Sequence, residues 1–112
     1  MHLLRLTTIL LITLSFVACE DKEGTIIIEN GISNTEINTV YWGSEYISSS
    51  LLPGQESSLT IYDDKDGFPK IEQVSFVMNA NSKSVYLVTL DEYELEADMT
   101  LRIILTDSTR VE

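Results

Sequence analysis

The sequence predicts an all-β domain: a two-layer antiparallel β-sandwich of about seven strands, preceded by a signal-peptide helix. Three observations carry that expectation. From Gly24 onward no sustained apolar spacing of three and four residues occurs, so no long helix is expected there. Short runs rich in Ile, Val, Thr, Tyr and Trp recur instead, and clusters of Gly, Pro, Asn, Asp and Ser separate them. A small β-barrel is the alternative, because strand pattern alone does not show whether a sheet closes.

Residues 25–29 (TIIIE) read as the first strand and 36–42 (EINTVYW) as the second, ended by Gly43. Pro53-Gly54 is a type II turn signature, with proline fixing the first central φ and glycine supplying the positive one. After it Ser57, Leu59 and Ile61 alternate with Ser58, Thr60 and Tyr62, which predicts an apolar face formed by Leu59 and Ile61. Residues 63–67 (DDKDG) then turn the chain. The run 71–78 puts Val74, Phe76 and Met78 on one side, and 79–83 reads as a hairpin loop. Residues 84–90 (SVYLVTL) carry hydrophobes on both faces, as a central strand covered on both sides does. Tyr93 and Leu95 alternate with Glu94 and Glu96. In the last run Leu101, Ile103 and Leu105 point inward, with Arg102 and Thr106 outward.

The segment ahead of this domain reads differently. His2 and Arg5 give a short positive start, and thirteen residues from Leu6 to Ala18 follow without a charge. A spanning helix needs about 20 apolar residues, whereas a secretory signal core needs ~7–15 followed by small residues at the cut. Residues 1–18 are therefore expected to be a signal peptide, 19–23 a cysteine and acidic tether, and 24–112 the β-domain. Removal of the first 18 of 112 residues leaves 94, enough for one core. Arg5 is the only Lys or Arg ahead of Cys19 and no acid precedes Glu20, so the exported part holds 6 basic and 18 acidic residues, a formal charge of −12. Such a surface repels phosphates over about a Debye length, ~8 Å at physiological salt. No nucleic-acid partner is expected, since that affinity comes largely from Lys and Arg.

Phe16-Val17-Ala18-Cys19 resembles the lipobox of bacterial lipoproteins, with Phe16 in place of the usual aliphatic residue. The resemblance implies that Cys19 receives a diacylglyceryl thioether, becomes the new N-terminus and is acylated there. A lone cysteine in an exported chain, with no intramolecular partner, agrees with that reading. One acyl chain holds a protein only marginally, at ~0.8 kcal/mol per buried CH₂, while two or three anchor it stably. Glu20-Asp21-Lys22-Glu23 then reads as a solvated tether. It also resembles the surface-export signal of Bacteroidetes-type lipoproteins. The order of IIIEN, INTVYW, LLPGQ and ILTDSTRV along the exported part resembles small lipoproteins of that type with an immunoglobulin- or transthyretin-like β-sandwich, a family without an assigned reaction. The resemblance implies a cell-envelope address, anchored to the outer membrane and facing either the periplasm or the surface.

Little chemistry is left to the exported part. Cleavage removes His2, the only histidine, and lipidation consumes Cys19, the only thiol, so one chain builds no Ser-His-Asp or Cys-His site and no ordinary zinc site. Gly-rich phosphate loops are absent as well. No enzyme and no cofactor are expected. Asp63, Asp64 and Asp66 beside Gly67 are weak calcium candidates, because Tyr62 and Gln73 fall where an EF-hand loop requires carboxylates. Glu92, Glu94, Glu96 and Asp98 fall on one face of a strand, where mutual repulsion discourages edge pairing. Trp42 and Tyr46, in the stretch WGSEY, are the candidate partner contacts, since Tyr and Trp among small polar residues supply contact area at low entropic cost. Trp42 also fits the core tryptophan of a sandwich. The expected function is that of a membrane-anchored, non-catalytic interaction or structural module whose partner is another envelope protein or a glycan. A small-ligand module for calcium or a glycan is the alternative.

Overall fold

The computed structural model describes residues 22–63 and 67–112. The signal segment 1–18, Cys19 and the tether up to residue 21 lie outside the described residues, as do Asp64 and Asp66. The described residues form β1 (Glu23–Gly31), β2 (Glu36–Trp42), β3 (Glu45–Leu51), β4 (Thr60–Asp63), β5 (Lys70–Glu72), β6 (Val74–Ala80), β7 (Lys83–Val88), β8 (Tyr93–Leu95) and β9 (Thr100–Thr106), with no helix among them. A three-stranded sheet, ordered β4-β1-β9, faces a four-stranded sheet, ordered β3-β2-β6-β7, and β5 pairs with β8 in a small third sheet. The fold is an all-β sandwich. Both larger sheets keep free edges, so the barrel alternative is not realised.

Period-two alternation builds the core. Ile26 and Ile28 point inward from β1 and Ile103 and Leu105 from β9. They meet Ile37, Val40, Trp42, Leu51, Val74 and Phe76 of the opposite sheet. Each such aliphatic or aromatic side chain contributes about 1.5–3 kcal/mol by leaving water. Leu95 of β8 closes one end over Gly24, where any Cβ would stand 2.9 Å from the leucine side chain.

Four sequence expectations need correction. All pairings were expected to be antiparallel, but β1 and β9 run parallel, in register from Thr25 opposite Thr100 to Gly31 opposite Thr106. Parallel neighbours need a long crossover, and here it is most of the domain, which no local pattern announces. Seven strands become nine, because β3 was not foreseen and the run 71–78 breaks at Gln73. The Gln73 side chain donates to the Thr89 carbonyl at 2.8 Å, and β5 leaves the sheet to pair with β8.

The faces of 59–62 are reversed, while Ser57 keeps the inward side expected for it. Ser57 is buried, accepting the Ile28 N–H at 3.0 Å, and Tyr62 packs edge-on against Trp42 and Phe68 at centroid distances of 5.6 and 5.9 Å. Leu59 and Ile61 are exposed. Finally, 84–90 does not supply a central strand: β7 is an edge, with Val85 and Tyr86 exposed.

Two of the turn readings hold, and residues 64–66 of the third lie outside the described residues. Gly54 has φ +83° and the Gln55 N–H reaches the Leu52 carbonyl at 2.9 Å, as a type II turn requires. The β6–β7 hairpin turns on Asn81 and Ser82, both at positive φ, which is the type I′ geometry.

Candidate functional site

The outward side of the four-stranded sheet is assembled by register. Residues directly opposite across a ladder point to the same face. One rung runs Tyr46, Tyr41, Ser75, Val88, and the next runs Ser50, Asn38, Val77, Tyr86. Glu36, Asn79 and Ser84 form a third. The opposite side of the same strands carries Ile37, Met78 and Trp42 into the core.

A bulge makes this face possible. Ile37, Val40 and Trp42 are all buried, although strict alternation would put residue 40 with Asn38 on the outside. Thr39, held at φ +51°, is the extra residue in the β2–β6 ladder between Asn38 and Tyr41. It resets the parity, so that Asn38 and Tyr41 both point outward. A β-branched residue at positive φ is an uncommon and strained choice. The Gly43–Ser44 turn between β2 and β3 has its glycine at φ +60°, at the first central position of a two-residue hairpin. That turn brings Tyr46 back beside Tyr41, with ring centroids 5.6 Å apart in an edge-to-face contact. At the far corner the Ser84 hydroxyl donates to Asn79 Oδ1 at 2.6 Å, and the amides of Asn79 and Asn38 meet at 2.8 Å.

The electrostatics of the face differ from those of the chain. Eighteen acids oppose seven bases in the sequence, yet among the described residues that register places here only Glu36, at a corner, is ionisable to a carboxylate. Glu45 pairs with Trp42 and so falls on the other side of the ladder. Glu92, Glu94, Glu96 and Asp98 are all exposed around β8, outside this sheet.

The two aromatic candidates separate. Trp42 is 0% exposed, and its indole N–H donates to the Tyr93 carbonyl at 3.3 Å. It is a core residue, sealed between the sheets, and the contact role expected for it is corrected accordingly. Tyr46 is 52% exposed and remains available. Tyr41 and Tyr86, the latter 65% exposed, join it on the face. Tyr41 was legible only through the two-residue turn that folds it onto Tyr46. Asp63 is exposed at the end of β4, opposite Glu23, and among the described residues no three His, Cys, Asp or Glu side chains gather as a metal centre.

A cleft of about 310 Å³ opens at one end of the sandwich over Phe76, Met78, Leu87 and Val111. Its rim carboxylate is already engaged. Asp107 accepts the Ser33 N–H at 2.9 Å and the Ser33 hydroxyl at 2.7 Å, and these two bonds hold its carboxyl below the usual carboxylate range. The sandwich and its tyrosine-bearing face thus define a small all-β module whose outer sheet surface, among the described residues that register places on it, carries a carboxylate only at the Glu36 corner. Against known protein families, curated proteins and solved structures, the chain matches none.

Proposed function

We propose that this chain is the precursor of a lipid-anchored envelope lipoprotein. Its β-sandwich works without catalysis, by contact through the outward face of β3-β2-β6-β7. Residues 1–18 direct export, Cys19 carries the acyl chains, and the outer membrane is the anchoring surface. The observation that carries the contact role is the composition of that face. On an acid-rich chain it is the sheet surface where Tyr, Ser and Asn replace carboxylates, and its most exposed ring, Tyr86, is 65% exposed. Rigid aromatic rings among small polar groups supply contact area at low entropic cost.

The tether fits the anchor. β1 begins at Glu23, four residues after Cys19, so even a fully extended linker reaches only about 14 Å. Glu23, Asp63 and Asp98 gather at that end: Glu23 pairs with Asp63, and the Asp98 N–H bonds the Glu23 carbonyl at 2.7 Å. Their charge opposes close approach to anionic headgroups, leaving the acyl chains as the membrane contact.

Mass spectrometry of the native product tests the anchor. A first residue of Cys19 bearing diacylglyceryl and acyl groups is expected, and Cys19→Ala should move the chain out of the membrane fraction. An unmodified thiol, or a different first residue, overturns the reading.

A further inference from the structure

Resting on the contact role of that same face, we propose that its occupant is an uncharged oligosaccharide, laid across the sheet between the Tyr41–Tyr46 pair and Tyr86. Three features select this class.

Charge comes first. A cationic partner is drawn to the exposed acids around β8, and an anionic one is repelled by a chain of net charge −11. The tyrosine face offers neither attraction, with Glu36 confined to its corner. Its complement is a ligand that is polar and neutral.

Size comes second. Four strands spaced about 4.8 Å apart and seven residues rising about 3.3 Å each give a face of roughly 440 Å² in projection, a small platform for a protein partner that commits ~800 Å² of accessible surface to a standard interface. A second copy or another protein would have to spread onto the acidic flanks, whereas a short oligosaccharide does not.

Chemistry comes third. A pyranose presents an apolar C–H face and a rim of hydroxyls that both donate and accept. Tyr46 and Tyr86 supply exposed rings for the first. Ser75 and Asn38, between them on adjacent rungs, supply hydroxyl and amide groups for the second. Two strand spacings and a two-residue offset set Tyr41 and Tyr86 about 12 Å apart, the span of a short oligosaccharide rather than a single sugar. The bulge at Thr39 is what turns both Asn38 and Tyr41 toward this ligand.

Native electrophoresis of the acylated protein, in a non-sugar detergent, through gels containing hydroxyethyl cellulose, galactomannan or dextran tests the proposal. Polygalacturonate serves as the anionic arm. Retardation is expected in at least one neutral gel and not in polygalacturonate. Tyr86→Ala should weaken it at least tenfold while melting at the parent temperature, and Arg102→Ala, on the outer face of the other sheet, should leave it unchanged. No retardation in any neutral gel, or retardation that survives Tyr86→Ala, overturns the proposal. A photo-crosslinking residue placed at position 86 in cells separates the two levels. A protein adduct there without glycan retardation overturns the ligand class and leaves the contact face standing. Neither an adduct nor retardation sinks both.

Discussion

The two outer faces of this sandwich are built differently, and chain connectivity explains why. On the three-stranded side polar side chains hold the sheet together. Arg102 of β9 reaches across β1, its Nη2 lying 2.9 Å from Glu29 and 2.5 Å from Glu56. The bonds to Glu56 and then Glu29 raise the guanidinium pKa further. Asp107 ties the end of β9 to Ser33, and from β1 the buried Asn30 donates to the Thr35 carbonyl and, across the sandwich, to the Leu51 carbonyl of β3 at 2.8 and 2.9 Å, and accepts the Ile32 N–H at 3.1 Å. On the four-stranded side two of the pairings are hairpins between neighbours in sequence, β2–β3 and β6–β7. Loop closure there is short, and backbone ladders with a core of Trp42 and Phe76 carry the sheet, with outward side-chain bonds at one corner, Ser84 to Asn79 and Asn79 to Asn38. The sheet joined over long sequence separations recruits its outward and inward polar groups as fasteners. The sheet joined locally leaves its outward tyrosines unneeded for folding and so available for contact.

The largest way to break this contrast is from inside the four-stranded sheet. Trp42→Ala removes a fully buried ring that also reaches β8 through its indole N–H, and should cost about 3–5 kcal/mol in urea unfolding. A loss under about 1 kcal/mol would mean that the indole does not carry that sheet. Two asparagines then sharpen the comparison. Asn30→Ala strands the partners of three hydrogen bonds in the core and should cost about 2–3 kcal/mol. Asn38→Ala, on the outward face, should stay within about 0.5 kcal/mol. Equal losses for the two would erase the distinction between fastening and presenting groups.

What the sequence disclosed follows the same division. The inward residues were legible along β9, with Leu101, Ile103 and Leu105 against Arg102 and Thr106, and along β6, with Val74, Phe76 and Met78, although Ile104 and Val77 add one apolar residue to each outward parity. In 57–62, where Tyr62 ends an otherwise polar parity, alternation fixed the period but not the side. Leu59 and Ile61 against Tyr62 was decided by the aromatic packing of Tyr62 on Trp42, twenty residues earlier, and on Phe68, beyond the following turn. The serine-rich β3 has low strand propensity of its own and forms because β2 pairs with it. The tyrosine face was half visible, through Tyr46. The bulge at Thr39, which puts Asn38 on the same face as Tyr41, is a single extra residue in a ladder and leaves no mark in the composition.

That bulge yields a prediction of smaller size and opposite sign. Thr39 holds φ +51°, where a side chain costs roughly 1–2 kcal/mol that glycine avoids, less the greater freedom glycine loses on folding. Thr39→Gly should therefore stabilise the domain by up to about 1 kcal/mol, with glycan retardation retained. Destabilisation would show that the threonine side chain, not the backbone geometry, supports the face.

The smallest effect is expected on the fastened side, and it is seen only through pH. The Ser33 N–H and hydroxyl bond the ionised Asp107 and lower its pKa below the ordinary 3.8, so its carboxylate is favoured in the fold. That contribution is fully present above the unfolded value, near ~3.9, and is lost as pH falls through the lower folded value. Asp107→Asn mimics the protonated group. The variant should melt below the parent at about pH 6, and the two curves should converge as pH falls below the lowered folded value. The carboxylate is exposed and solvent-screened, so the gap should be smaller than that for Asn30→Ala and should narrow with added salt. A gap that persists undiminished to pH 2 would mean that asparagine disturbs the Ser33 turn itself. The tie between β9 and the β1–β2 loop would then be one of shape rather than charge.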